Sequence, residues 1–262
     1  MDIWTTFILQ PMLNGLLFLY QLLFHNFTLA ILVFTILIRL ITYPLTASQQ
    51  KSTRKLTELQ QSDSWKKMQE KYKNDKEKLA QEQMRLYQEA GANPMGACLP
   101  TLIQFPVLIG LYQSIQQAMA ASPVQLFDLS RHIYSFLPNA ASLIPIDNRF
   151  LWLNLGLPDQ LFVLPILVAV SMYIQSKMIA PPATGDAQAA QMSQSMTLTM
   201  PLMFGWFSLS FPSGLSIYFI ISNLIGIAQT ALTQPVNWKN VFSLSLGAAP
   251  APAQAGKARK KP

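Results

Sequence analysis

Apolar residues occur along this chain in long runs that are separated by two strongly polar segments. A helix of about 20 apolar residues, at roughly 1.5 Å each, is long enough to cross the hydrocarbon core of a bilayer. Five runs are predicted to be membrane-spanning helices: residues 27–46, 94–119, 161–179, 196–211 and 215–233. The pattern therefore predicts an all-α polytopic membrane protein.

An earlier apolar run, residues 3–24, is interrupted by Pro11, Asn14 and Gly15. Only His25 and Asn26 separate it from the first predicted span, which leaves little room for a hairpin of two full spans. We therefore expect an amphipathic helix that lies in the membrane interface. A sixth span is the alternative.

The first polar segment, residues 47–91, contains ten Lys and Arg residues and seven acidic residues. It has no Pro, and no Gly before Gly91, so helix is permitted throughout. The pair Asn74-Asp75 is the best break, which predicts an antiparallel helical hairpin. Its apolar stripe is thin, so we expect a mobile, weakly packed hairpin.

The remaining polar stretches connect or follow the spans. Residues 120–160 are predicted to be a loop, in which Phe150 and Trp152 have the character of an interfacial aromatic anchor. Residues 234–262 are of low complexity and basic, so we expect a largely disordered tail.

Positive charge is distributed unevenly along the chain, which has 19 Lys and Arg residues and a net charge of +7. Sixteen of the 19 lie in the hairpin, at Lys177 or in the tail, and five spans would place all sixteen on one side. The positive-inside rule makes that side cytoplasmic and puts the amino terminus outside. The single cysteine, Cys98, excludes an intramolecular disulfide.

Arg39 is the exception, because it lies inside the first predicted span. An arginine near the centre of a membrane helix costs about 2.5–3.5 kcal/mol on insertion scales, so it usually faces water or a polar partner. The threonines that share its helix face are Thr28, Thr35, Thr42 and Thr46. This stripe favours an inward-facing polar surface over a side chain that snorkels to the headgroups.

Other predicted spans also contain polar residues, namely Gln104, Gln175, Ser222 and Asn223. If they converge on Arg39, they line a hydrated pocket with one uncompensated positive charge. No predicted span contains Asp or Glu, which argues against a proton or cation pathway. For Gln104 and Asn223, hydrogen bonding between helices is the alternative role.

No motif for chemistry is visible. The sequence has no glycine-rich nucleotide loop and no GxSxG, and its two histidines, His25 and His132, are isolated. We therefore expect no enzymatic activity, no cofactor and no metal. Three functions remain: a membrane protein insertase and chaperone, a small-solute or anion transporter with Arg39 as the anion-binding charge, and a structural scaffold.

An ordered set of short motifs separates these functions. They are Thr35-Ile-Leu-Ile-Arg39, Tyr43-Pro44-Leu45-Thr46, Asn93-Pro94-Met95-Gly96-Ala97-Cys98-Leu99-Pro100, Ile103-Gln104-Phe105-Pro106, Phe211-Pro212-Ser213-Gly214-Leu215, Ser222-Asn223 and Gln229. Together they resemble the YidC-type membrane protein insertases of bacteria, a family with mitochondrial and chloroplast relatives.

The resemblance implies a five-span helical core with an N-terminal interfacial helix and a cytoplasmic hairpin. It also implies a positively charged groove that is open to the cytoplasm and the lipid and that works without nucleotide hydrolysis. The groove residues that it indicates are Arg39, Thr35, Gln104, Gln175, Phe219 and Asn223. Phe219 stands where the family often has Tyr or Trp, so it lacks a polar atom.

The same resemblance implies a location in the bacterial plasma membrane, with the hairpin and the tail in the cytoplasm. The implied partners are nascent membrane proteins and membrane lipids. The ribosome and a Sec-type translocon are candidate partners, and no DNA partner is expected.

Overall fold

The computed structural model describes residues 3–73, 75–91, 99–119, 127, 129, 131–134, 146–179 and 195–233. The α-helices in this part of the chain are α1 Gln10–Leu22, α2 Phe27–Gln61, α3 Asp63–Lys71, α4 Lys76–Glu89, α5 Leu99–Ala118, α6 Val163–Ile179, α7 Met200–Ser208 and α8 Ser213–Thr233. One π-helical turn precedes α1, at Thr5–Leu9, and another precedes α7, at Ser195–Thr199. Two short strands, β1 Arg149–Phe150 and β2 Leu153–Asn154, pair antiparallel.

Helix α2 is continuous over 35 residues and joins the first predicted span to the first part of the predicted hairpin. It begins where the Asn26 side chain accepts a hydrogen bond from the Leu29 N–H at 3.0 Å. Pro44 lies inside it, and no further Pro or Gly follows before its end. The boundary predicted after Thr46 is therefore not a break in the helix, and α2 ends only at Gln61, with Ser62 as its C-cap.

The hairpin continues with α3 and α4. At the predicted break, the Asp75 side chain caps α4 by accepting a hydrogen bond from the Lys78 N–H at 3.1 Å. Trp65 of α3 is buried, and its ring lies 5.3 Å from the ring of Tyr87 on α4, centroid to centroid. Met68, three residues after Trp65 on the same helix, is buried as well. The hairpin thus has an aromatic contact that the predicted apolar stripe did not include.

Helices α2 and α8 lie side by side and run in the same direction. The contacting pairs are Ile31 with Gly214, Arg39 with Ser222 and Gln50 with Thr233, and each pair is 183 positions apart. From Ile31 to Gln50 the contact extends about 28 Å along the helix axis, since each residue adds about 1.5 Å. That is close to the roughly 30 Å thickness of a bilayer's hydrocarbon core.

Two other helices pack on α8 in alternating directions. Helix α6 is parallel to it, because Ser171 meets Asn223 and Gln175 meets Gly226. Helix α5 is antiparallel to it, because Gln104 meets Tyr218 and Ile115 meets Gly214. Helices α2, α6 and α8 therefore begin at one end of the bundle, which we call the N-terminal end.

Helix α1 packs on α2 and α5, and its side chains Leu13, Leu16 and Leu17 are almost completely buried. It does not have the polar face expected of an amphipathic helix. Its polar residues Gln10 and Asn14 are buried, and its exposed side is apolar. The exposed apolar residues of this segment include Ile3, Phe7, Phe18 and Leu22. The Asn14 side chain instead contacts a packed loop, which the sequence did not indicate.

That loop is part of residues 120–160. Asn14 donates from Nδ2 to the His132 carbonyl at 2.8 Å and accepts at Oδ1 from the Tyr134 N–H at 2.7 Å. Farther along, the carbonyls of Leu155 and Leu157 accept from the N–H groups of Gly214 and Ser213.

Apolar side chains of the same region complete the core. Leu129, Leu153 and Leu155 are buried there. The buried residues of this predicted loop thus pack across the N-terminal end of the bundle, a role that the sequence did not indicate.

Apart from α2, the predicted span limits differ from the described helix limits by a few residues. Helix α6 begins at Val163, because the Asp159 carboxylate accepts from the N–H groups of Leu161 and Leu164 and fixes its start. Within the described residues, Phe27–Gln60 and Ser213–Thr233 are long and apolar enough to cross a membrane. Residues 94–98 and the predicted tail 234–262 lie outside the described part of the chain.

Candidate functional site

Arg39 lies at the interface of α2 and α8, and its side chain is half-buried. Its Nε donates to the hydroxyl Oγ of Ser222 at 3.0 Å. Its Nη2 donates to the same Oγ at 2.6 Å and to the Ser222 carbonyl at 2.8 Å. The guanidinium is therefore held on one residue of the neighbouring helix rather than extended toward the headgroups, as the threonine stripe predicted.

The Arg39 contact continues to a third helix through Tyr218. Gln104 of α5 donates from Nε2 to the hydroxyl of Tyr218, which is one turn before Ser222 on α8. Tyr218 is itself buried, and its hydroxyl lies near the Arg39 guanidinium. Helices α2, α5 and α8 are thus joined by a polar network of Arg39, Ser222, Tyr218 and Gln104.

Asn223 and Gln175 lie on a different interface, between α8 and α6. Asn223 is buried and donates from Nδ2 to the Ser171 hydroxyl at 3.1 Å. The amide of Gln175 rests against Gly226, where an added Cβ would collide with it. These two predicted site residues are therefore not among the hydrogen-bond partners of Arg39. Asn223 therefore has the alternative role considered for it, a hydrogen bond between helices.

Thr35 and Phe219 border the polar network without extending it. Thr35 is completely buried, and its hydroxyl donates to the Ile31 carbonyl of its own helix at 2.6 Å. Phe219 is half-buried and makes an edge-to-face contact with Phe204 of α7, at a centroid distance of 5.5 Å. Thr35 therefore packs the α2–α8 interface, while Phe219 contributes an apolar ring next to Tyr218.

A second polar contact joins α2 and α8 farther from the N-terminal end. Gln50 donates from Nε2 to the Thr230 hydroxyl at 3.3 Å and accepts at Oε1 from the Thr233 hydroxyl at 3.1 Å. Eleven residues separate it from Arg39, so it lies about 16 Å away along the helix axis. The interface of α2 and α8 is consequently polar at two levels.

The charge of Arg39 is not neutralised by a carboxylate in the part of the chain that the structure describes. The ion pairs formed there are Arg54–Glu58, Lys78–Asp75, Arg85–Glu82 and Arg85–Glu89. Ser222 and Tyr218 supply hydrogen-bond acceptors and dipoles but no negative charge. The site can therefore attract an anionic or strongly polar group.

Apolar side chains are also exposed on two helices of the bundle. Helix α5 exposes Phe105, Ile109 and Tyr112, and α7 exposes Leu202 and Trp206. In water such surface would be unfavourable, whereas in a bilayer it faces hydrocarbon. The bundle thus offers apolar surface in addition to the polar centre at Arg39.

Sequence reasoning missed the roles of Ser222 and Tyr218. Ser222 was noted, but Asn223 and Phe219 were preferred as site residues. Neighbouring positions on a helix point about 100° apart, so the choice depends on how α8 is rotated against α2. The available signal was the spacing of Tyr218 and Ser222, which places them on one face.

Comparisons with known proteins agree with this architecture. Residues 18–239 match the family described as 60Kd inner membrane protein. The chain is 36% identical over 227 residues to the membrane protein insertase YidC of Syntrophus aciditrophicus, which covers 86% of this chain and 36% of that relative. It is 33% identical over 233 residues to the membrane protein insertase MisCA of Bacillus subtilis, which covers 87% of this chain and 78% of MisCA.

A solved structure is similar as well. It is described as an active YidC insertase crystal structure with the first transmembrane domain resolved, and it has a TM-score of 0.58 at 26% identity. The match covers 89% of this chain and 48% of that one. The resemblance stated from the motifs is confirmed: the chain is a polytopic helical membrane protein that belongs to the 60Kd inner membrane protein family, of the YidC type.

Proposed function

We propose that this chain is a membrane protein insertase and folding chaperone. It receives hydrophobic segments of nascent membrane proteins beside Arg39 and releases them into the bilayer. The observation that carries the proposal is the uncompensated guanidinium of Arg39, held between α2 and α8 by the neutral Ser222. The names of the relatives, membrane protein insertases YidC and MisCA, support it.

The physical basis is a lower barrier for polar groups that must cross the membrane. Moving an unpaired polar group into hydrocarbon costs several kcal/mol, and more if it is charged. Arg39 attracts the acidic or polar outer segment of the entering chain, and Gln104 and Tyr218 exchange hydrogen bonds with it. The attached apolar segment then leaves along the exposed apolar surfaces of α5 and α7. Nothing in this sequence of events requires a catalytic residue or nucleotide hydrolysis.

The proposed arrangement in the bacterial plasma membrane has five spans, with the amino terminus outside. The common direction of α2, α6 and α8 and the opposite direction of α5 support it, because successive spans must alternate. The concentration of Lys and Arg in residues 47–91 supports a cytoplasmic hairpin. In this arrangement α1 lies in the outer leaflet against α2.

The proposed insertase function also implies the partners of this chain. Nascent membrane proteins are the substrates, and the lipids are the medium into which they are released. The basic hairpin and tail would attract phosphate groups of a ribosome or of lipid headgroups. A Sec-type translocon is a further proposed partner.

Photo-crosslinking tests the proposed substrate contact. A photoreactive amino acid at Gln104 or Phe219 should crosslink to a ribosome-bound nascent chain that carries one apolar segment. The matched control is Leu224 on α8, whose relative exposure is 54%. We expect at least several-fold stronger crosslinks from Gln104 and Phe219 than from Leu224. Crosslinks of equal strength from all three positions would contradict the proposal.

The alternative, transport of a small anion, is favoured by one observation, the unpaired charge of Arg39. Liposomes that contain only this protein distinguish the two functions. An anion transporter would give saturable anion flux that Arg39→Ala abolishes. We expect no saturable flux from an insertase.

A further inference from the structure

Three bulky apolar residues at the N-terminal end of the bundle have a backbone conformation that L-amino acids rarely adopt. Phe24, Leu151 and Phe162 have φ angles of 55°, 55° and 58°. Side chains with a Cβ are disfavoured at positive φ, and bulky ones most of all. Among the described non-glycine residues, His25 also has positive φ, and its ring packs edge-on against Tyr20.

Each of these positions is one where a small or polar residue would normally serve. Phe24 follows Leu23, the C-cap of α1, and helices commonly place Gly or Asn at that position. Leu151 lies in the two-residue turn between β1 and β2, which Gly, Asn and Asp dominate. Phe162 immediately precedes α6. The backbone alone thus gives no reason for a bulky apolar side chain at any of the three.

The three side chains are also exposed. Relative exposure is 92% for Phe24, 76% for Leu151 and 58% for Phe162. They therefore contribute little to the packing of the described core. Because they combine a disfavoured backbone with an apolar side chain that contacts little protein, their stabilisation must come from an apolar environment outside the fold.

Their placement identifies that environment. Phe24 is three residues before the start of α2, and Phe162 is one residue before the start of α6. The hairpin that carries Leu151 is joined to the start of α8, because the Gly214 N–H donates to the Leu155 carbonyl at 3.0 Å. All three thus lie where parallel helices begin, at one level of the bundle.

The neighbour of Leu151 supports a membrane boundary at this level. Trp152 is half-exposed, and its indole N–H donates to Asp159 at 3.2 Å. An apolar ring with a satisfied polar tip is the usual composition of the aromatic belts at membrane surfaces. Helices α2 and α8, which begin at this end of the bundle, are long and apolar enough to span a membrane.

We propose that Phe24, Leu151 and Phe162 form an anchor ring that inserts into the lipid leaflet at the N-terminal end of the bundle. The ring fixes how deeply the bundle sits in the membrane. Arg39 is twelve residues beyond the first residue of α2, or about 18 Å along its axis. With the ring at one edge of a hydrocarbon core about 30 Å thick, Arg39 lies just beyond its centre.

Fluorescence quenching tests the ring in liposomes that contain no substrate, so its outcome is independent of the proposed insertase function. Single cysteines replace Phe24, Leu151 or Phe162 in a chain with Cys98→Ser, and each is labelled with an environment-sensitive dye. Matched controls are Arg149→Cys and Gln160→Cys, which are exposed polar positions close to Leu151 and Phe162. Circular dichroism confirms that each labelled variant keeps the wild-type helix content.

We expect phospholipids with a nitroxide near the start of the acyl chain to quench the three ring labels at least threefold more strongly than the controls. Aqueous iodide should show the reverse order. Nitroxide labels at the same cysteines give a second reading, with greater accessibility to oxygen than to a water-soluble nickel chelate. Iodide quenching at any ring position equal to that at the controls would show that this position lies in water and would overturn the proposal.

Discussion

Arg39 and Ser222 are 183 positions apart in the chain, yet the guanidinium makes three hydrogen bonds to this one serine, two to its hydroxyl and one to its carbonyl. The contact joins the first long helix of the described chain to the last one. It also explains how a positive charge is kept inside a membrane helix bundle. Neutral acceptors orient the guanidinium and leave its charge available.

The first prediction concerns the orientation of Arg39. Ser222→Ala removes the hydroxyl and with it two of the three hydrogen bonds. If about 1 kcal/mol of orienting free energy is lost, insertion of a single-span substrate with an acidic outer tail should slow about fivefold. The control is Ser216→Ala, which removes a buried serine hydroxyl from the same helix, where it bonds Ser208 at 2.7 Å. Equal insertion rates for the two variants would contradict the orienting role of Ser222.

The second prediction concerns the register of α2 and α8. Cysteines at Gln50 and Thr233, whose side chains lie in hydrogen-bond contact, should form a disulfide on mild oxidation. Cysteines at Gln50 and Leu232 should not, because Leu232 points away from the interface and is almost fully exposed. Both pairs are made in a chain with Cys98→Ser, and gel mobility after proteolysis between the helices measures the link. Efficient linkage of the second pair alone would contradict the face of α8 that the structure places against α2.

The sequence predicts which way a site residue faces on its own helix, but not which residue of another helix it contacts. The face of Arg39 was predictable, because the threonines on its helix repeat at helical spacing. Its partner was not, because Ser222 and Asn223 are adjacent and only the packing of α8 decides which of them faces α2. Gln104 was expected to need a hydrogen-bond partner, and the structure supplies Tyr218, which the sequence could not select.

The fold, too, was predictable where local periodicity determines it and not where packing does. Long apolar runs predicted the membrane helices, because each run carries its own periodicity and length. The packing around Leu153 and Leu155 was not predicted, because the strands there have only two residues each and leave no periodic pattern in the sequence. The buried position of Asn14 depends on that region and was therefore missed as well.

The third prediction compares two glycines at helix interfaces. A Cβ added at Gly205 would lie 2.9 Å from the Cβ of Ala169 and 3.3 Å from the Pro165 carbonyl oxygen. Gly205→Ala should destabilise the protein by about 1–3 kcal/mol, because backbone must move. At Gly226 the added methyl meets only the end of the flexible Gln175 side chain, so Gly226→Ala should cost less than about 1 kcal/mol. Unfolding in detergent micelles measures both, and the opposite order would contradict the packing of α6 against α7.

The fourth prediction is a pH dependence at Asp159, which lies outside the membrane helices. Burial favours its neutral form, but hydrogen bonds from the N–H groups of Leu164 and Leu161 and from Trp152 outweigh burial and hold the pKa of Asp159 below its usual value. A lowered pKa stabilises the fold above the unfolded-state pKa of about 3.9, and this stabilisation is lost as the pH falls through the folded value.

Asp159→Asn should therefore lower the unfolding free energy at pH 7 by about 1–2 kcal/mol, with a difference from wild type that shrinks below about pH 4. Asp147→Asn is the control, because its exposed carboxylate accepts only the Arg149 N–H among the described contacts. Thermal unfolding in micelles from pH 3 to pH 8 checks both variants. A difference that grows as the pH falls would show that the sign is wrong.

Insertion by Arg39 variants tests the central claim most directly. Purified wild type, Arg39→Lys and Arg39→Ala are compared in liposomes for protease protection of a single-span substrate with an acidic outer tail. We predict that Arg39→Ala reduces insertion at least about tenfold, equivalent to about 1.4 kcal/mol, and that Arg39→Lys retains an intermediate rate because it keeps the charge but loses the bidentate geometry. Wild-type insertion by a folded Arg39→Ala variant would contradict the account.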